Sequence, residues 1–87
     1  MVIHCIVKGK VQGVWFRQAT MEKANELKIT GWVRNMDNGD VEVLASGEED
    51  QLDLFKSWMW EGSANARVEE ILVENAEDQV FSGFSVK

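Results

Sequence analysis

The chain has 87 residues, of which 45% are hydrophobic and 28% charged, with no proline and one cysteine. That is enough for one small α+β-sized domain over residues 1–87 and too little for two that each bury a useful core, and the composition is globular rather than disordered. A net charge of -6 argues against a general binder of nucleic acid or anionic membrane, which needs a basic footprint.

With Cys5 alone no intrachain disulfide can form, and with His4 as the only histidine no Cys/His set has metal-ligand spacing, so neither metal nor cofactor is expected. A lone thiol fits a reducing cytoplasm. The apolar start is shorter than the roughly 7–15 residues of a signal-peptide core and far short of a membrane span, so no targeting segment is expected. The charge is unevenly spread. Residues 1–35 carry six basic groups against Glu22 and Glu26, and the remainder carries three basic against thirteen acidic, so a small anion should bind to the first part.

In VIHCIV, Ile3, Cys5 and Val7 form one apolar face, which predicts a strand ending near Lys8. Phe16, Thr20, Ala24 and Leu27 then recur at helical spacing with charges between them, predicting a helix to about Leu27. ITGWVRN and VEVLA read as two antiparallel strands joined at Asn38-Gly39, where both central residues tolerate positive φ. Ser46-Gly47-Glu48-Glu49 matches a capping box, followed by a stripe of Leu52, Phe55, Trp58 and Met59 and a stop at Gly62. RVEEILVEN is a further strand, and FSGFSVK supplies a short last one. The order βαββαβ predicts an α+β, ferredoxin-like α/β sandwich, an antiparallel sheet with two helices on one face.

Between the first strand and the first helix lies GKVQGVWFR, residues 9–17. A chain that breaks at Gly9, turns at Gly13 and enters a helix near Arg17 exposes consecutive backbone N–H groups, a concavity suited to an anion. Arg17 adds a planar charged fork matched to two phosphate or carboxylate oxygens, and Lys8 and Lys10 raise the local potential. The stretch is neither a Walker P-loop nor a dinucleotide fingerprint. The plainer alternative makes the glycines turn residues, Val11, Val14 and Phe16 core, and Arg17 a solvated side chain at the helix start.

GKVQGVWFR resembles the first signature of the acylphosphatase family, and GWVRNMDNGDVEVLASG, residues 31–47, resembles its second, in the expected order and separation; the ending Phe84 to Val86 is also similar. The resemblance implies the ferredoxin-like fold and hydrolysis of small-molecule acyl phosphates to a carboxylate and inorganic phosphate. By motif position Arg17 would bind the phosphate, Asn35 would orient the attacking water, and the amides of Gln12, Gly13, Val14, Trp15 and Phe16 would cradle the phosphate oxygens. Such chemistry needs positioning and charge stabilisation, because a mixed anhydride already has a good leaving group. Asn38 and Gly62-Ser63 depart from the residues common at these loops, which bears on loop rigidity. Trp15 fills a variable position; packing at the loop mouth is the expected role, contact with the acyl group the alternative.

Other chemistries fit less well. Val11 occupies the place a C-x5-R thiolate loop from Cys5 would give to arginine, and Cys5 is expected in the core. Asp37 and Asp40 flank a turn without further ligands, His4 is expected half-exposed on the open sheet face, and Arg34 should face away from Asn35. A run of Glu48, Glu49 and Asp50 suits a helix N-terminus. An accessory module that keeps the anion pocket without turnover is the competing function. An RNA-binding sheet is disfavoured by the missing RNP1 pattern and the acidic charge, with Trp32 the main aromatic for stacking. A monomer is expected.

Overall fold

A computed structural model describes residues 1–87. The elements are β1 (Val2–Lys10), α1 (Phe16–Glu26), β2 (Thr30–Asn35), β3 (Val41–Ser46), α2 (Glu49–Glu61), β4 (Arg67–Ala76) and β5 (Phe84–Val86). They form one sheet in the order β4-β1-β3-β2-β5. β3 pairs antiparallel with both β1 and β2, so β1 and β2 run parallel with β3 between them. β1 also pairs antiparallel with β4, which makes β3 and β4 parallel across β1. Two split βαβ units thus interlock, the ferredoxin-like arrangement.

Period-two alternation decides which face is dry. Ile3, Cys5 and Val7 of β1, Val33 of β2 and Val41, Val43 and Ala45 of β3 join Phe16 and Ala24 of α1 and Leu52, Phe55 and Met59 of α2 in one buried cluster. Thr20, also buried, donates its hydroxyl to the carbonyl of Phe16 at 2.7 Å, so the polar group is satisfied inside its own helix. Phe16 and Phe55 lie 6.0 and 6.4 Å from the Trp58 ring, which closes the core under the first turn of α1.

Four expectations are corrected. β1 continues two residues past Lys8, through a register shift between Lys8 and Gly9. Gly9 has φ 128, and a Cβ there would overlap the carbonyl oxygen of Arg67, so the bulge requires glycine. The sheet is mixed rather than antiparallel, because β5 returns parallel to β2. No capping box forms: Ser46 is paired with Val2 and Thr30 inside the sheet, and α2 begins at Glu49 behind an extended Glu48 with no side-chain cap. At the β2–β3 turn only Gly39 has positive φ, whereas Asn38 uses its side-chain oxygen to accept the N–H of Asp40 at 3.0 Å.

On the open face, as expected, His4 is half-buried. Its Nε2 donates to Glu42 at 2.6 Å, and Arg34 donates to the other Glu42 oxygen. The His4 hydrogen bond, opposed by partial burial and reinforced by Arg34, holds the Glu42 carboxyl below its ordinary value of 4.5. Cys5 lies in the core, where burial pushes its thiol up to about 12.

Two outcomes follow. Gly9→Ala should lose about 3 kcal/mol or more of stability in urea unfolding, the scale of backbone strain combined with a steric overlap. A lowered Glu42 pKa favours the ionised form in the fold, so its stabilisation is complete above about pH 5 and disappears as pH falls through the folded value. Glu42→Gln should therefore be less stable than wild type at pH 7, with the difference shrinking towards pH 3; a constant difference across that series would contradict the assignment.

Candidate active site

The loop of residues 11–15 leaves β1 and enters α1 through two left-handed residues, Gly13 at φ 73 and Trp15 at φ 64, separated by Val14. Such alternation is the backbone geometry of an anion-binding nest. The N–H groups of Gln12, Gly13, Val14 and Trp15 find no acceptor within the protein. Those of Phe16, Arg17 and Gln18 open the helix and have no intrahelical acceptor either. The positive end of α1 points to the same place.

Above this loop lies a cavity of about 330 Å³ lined by Val11, Gly13, Trp15, Phe16, Arg17, Gln18, Asn35 and Val86. Arg17, in the first turn of α1, and Asn35, the last residue of β2, are brought together here. Arg17 Nη1 donates to the carbonyl oxygen of Lys87 at 2.7 Å, which orients one side of the guanidinium and leaves the other donors for a ligand. Lys87 is itself held, its N–H donating to the carbonyl of Val33 at 2.8 Å. Asn35 Oδ1 is enclosed and accepts no hydrogen bond from the protein. An enclosed acceptor without a partner costs about 1–3 kcal/mol.

Of the residues expected in the cradle, Gly13, Trp15 and Phe16 line the cavity, whereas Gln12 and Val14 do not. The Gln12 side chain turns to the β2–β3 hairpin, donating to the carbonyls of Met36 at 2.7 Å and Asp40 at 2.9 Å. Val14 is buried, and its carbonyl accepts the Ser63 hydroxyl at 2.6 Å, tying the loop to the end of α2. The departure at Gly62-Ser63 thus supplies its own fastening. Trp15 does not pack at the loop mouth as expected but is 78% exposed. Three lining residues were not singled out. Gln18 follows Arg17 directly, Val11 was read only as core, and Val86 lies in the Phe84–Val86 ending without a role until the sheet places it.

The surrounding charges are largely paired. Lys8 donates to Asp40 at 2.7 Å, a contact that raises the lysine above its ordinary 10.5 and offsets part of its field. Asp40 also accepts from Asn38 Nδ2 at 3.1 Å. Arg34 faces away from Asn35, as the strand period predicts, with its guanidinium 5.7 Å from the centre of the Trp32 ring. Lys87 Nζ lies 4.8 Å from the same ring, so the open-face aromatic is already engaged by cations.

The two Gln12 bonds brace the hairpin that follows Asn35. Gln12→Ala should lower stability by about 1–3 kcal/mol, the scale of two hydrogen bonds to partly buried carbonyls. It should also accelerate amide exchange in residues 36–40; unchanged exchange there would show that the turn holds itself.

An acylphosphatase family model matches residues 3–86. An acylphosphatase of Coxiella burnetii (strain Dugway 5J108-111) is 49% identical over 81 residues, covering 87% of this chain and 85% of the relative. One from Pseudomonas aeruginosa is 46% identical over 85 residues, covering 98% and 93%. The solved acylphosphatase structure from Bacillus subtilis superposes with a TM-score of 0.96 at 37% identity, covering 100% of this chain and 99% of that one. Matches at this identity along nearly the full length of catalytic relatives do not favour the accessory-module alternative. With both signatures converging on one cavity and the match running from residue 3 to residue 86, the chain belongs to the acylphosphatase family.

Proposed function

We propose how this chain hydrolyses the carboxyl–phosphate bond of acyl phosphates, the activity its family membership carries. The free N–H groups from Gln12 to Phe16 and the guanidinium of Arg17 hold the phosphoryl oxygens. The side-chain amide of Asn35 hydrogen-bonds the attacking water and directs it at phosphorus. The bond from phosphorus to the carboxyl oxygen breaks, and the leaving group departs as a carboxylate that needs no proton at neutral pH. Charge spread over the phosphoryl oxygens in a loose transition state is what fixed donors stabilise best, and no covalent intermediate is required. The observation that carries this reading is that Arg17 and Asn35, from separate elements, line one cavity above a loop whose N–H groups have no acceptor.

Neither Arg17 nor Asn35 changes charge near neutrality, and His4 is on the opposite face of the sheet, bonded to Glu42. The kcat profile should accordingly be flat between about pH 5 and 8. The reading extends to a monomer in the cytoplasm acting on a small molecule, with neither nucleic acid nor membrane as a partner. Its support is a buried, un-ionised Cys5, a net charge of -6 and the absence of any helix long and apolar enough to cross a membrane.

Hydrolysis of benzoyl phosphate in the presence of a chelator tests the assignment. Arg17→Ala and Asn35→Ala, each shown to be folded by circular dichroism, should lose at least about a hundredfold in kcat/KM, the scale of one lost transition-state donor. Folded variants that match the wild type would remove these two residues from the mechanism. A bell-shaped kcat profile centred near neutrality would show that a titrating group takes part.

A further inference from the structure

The cavity lining combines polar residues, Arg17, Gln18 and Asn35, with the apolar Val11, Trp15, Phe16 and Val86. Val11 and Phe16 are each only 1% exposed and belong to the core, so they can form a floor but offer a ligand little area. Trp15 and Val86 are the apolar lining residues with substantial free surface, at 78% and 38%. A tryptophan with that much of its surface in water gains little from folding.

Its backbone gains nothing either. Trp15 sits at φ 64, ψ 19, a left-handed conformation that is unfavourable for a bulky side chain and natural for glycine or asparagine. It is also the N-cap of α1, where it makes no capping hydrogen bond, whereas serine, aspartate or asparagine could. Position 15 therefore forgoes burial, backbone comfort and a cap together. Those three losses share one compensating feature: a largely exposed aromatic side chain lining the cavity that Arg17 and Val86 also line.

We propose that Trp15, backed by Val86, is the acyl-group subsite of this enzyme and selects flat, apolar acyl phosphates, aromatic ones above all, over small ones such as acetyl phosphate. The inference rests on the phosphate being held by Arg17 and the loop amides, as described under the proposed function. With the phosphate there, the carboxyl carbon and its substituent are left to the exposed apolar lining residues, Trp15 and Val86. An aromatic acyl group can then stack on the indole, and Val86 covers part of its edge. A methyl group is too short to cover the ring and leaves it wet, so binding gains little.

The test compares benzoyl phosphate with acetyl phosphate for the wild type, Trp15→Ala and Trp15→Phe, reading the ratio of the two kcat/KM values. The wild type should prefer benzoyl phosphate, Trp15→Ala should reduce that preference about three- to tenfold, the range expected for one lost aromatic pair, and Trp15→Phe should restore most of it. A ratio unchanged in Trp15→Ala overturns the proposal, including the case in which both substrates fall equally because the loop has merely loosened. Calorimetric binding of benzoylphosphonate and acetylphosphonate repeats the comparison without turnover. If the preference between phosphonates collapses in Trp15→Ala while the wild type hydrolyses neither phosphate, the subsite stands and the hydrolytic mechanism falls; if the phosphonate preference survives the substitution, the subsite falls whatever the enzyme hydrolyses.

Discussion

The parallel alignment of β1, β2 and β5 is the constraint on which the site depends. Each βαβ crossover returns the chain in the direction it started, so the C-terminal ends of β1 and β2 emerge on one edge of the sheet, with the start of β3 between them. The loop that follows β1 and the asparagine that ends β2 therefore meet without either segment being long. β5 joins the same edge because it pairs parallel to β2, Val86 opposite Val33, which delivers Val86 to the cavity wall and the Lys87 carbonyl to Arg17.

That edge is held by fastenings on three sides. Phe16 is the first helical residue and is buried against Trp58, so α1 must start where it does. Arg17, one residue on, is then directed outward by helical geometry, and the Lys87 carbonyl holds its guanidinium. Gln12 ties the loop to the hairpin after Asn35, and Ser63 ties it to the end of α2. The result is a loop with several N–H groups left without partners, yet with little freedom to collapse and satisfy them internally. Preorganised donors of this kind avoid reorganisation during reaction, which is where their catalytic advantage arises.

The two sheet faces divide the labour between stability and charge. The covered face is uniformly apolar and contains Cys5 as an inert thiol. The open face collects His4, Glu42 and Arg34 into a bonded group and places Lys87 and Arg34 over Trp32. Although the chain is acidic overall, GKVQGVWFR, which spans the loop and the start of the first helix, carries Lys10 and Arg17 and no carboxylate of its own.

Much of this was legible in one dimension because it depends on local periodicity. The two-residue alternation of Ile3, Cys5 and Val7, the helical stripe ending in Met59 and the glycine-broken GKVQGVWFR are properties of neighbouring residues, and they gave the element order, the fold class and Arg17 as an anion-site candidate, whereas Asn35 stood out only through the resemblance of residues 31–47 to a family signature. What tertiary structure decided was every feature that depends on partners distant in the chain. Ser46 has the sequence of a helix cap, yet two neighbouring strands claim its backbone; β5 is too short to declare its direction, and only pairing with β2 makes it parallel. Nothing in the sequence shows that the Gln12 side-chain amide will brace the hairpin carbonyls, and Trp15, expected to pack at the loop mouth, is left largely in solvent. The physical reason is the same in each case: propensity acts over a few residues, whereas burial and hydrogen-bond satisfaction are settled by whatever the fold brings alongside.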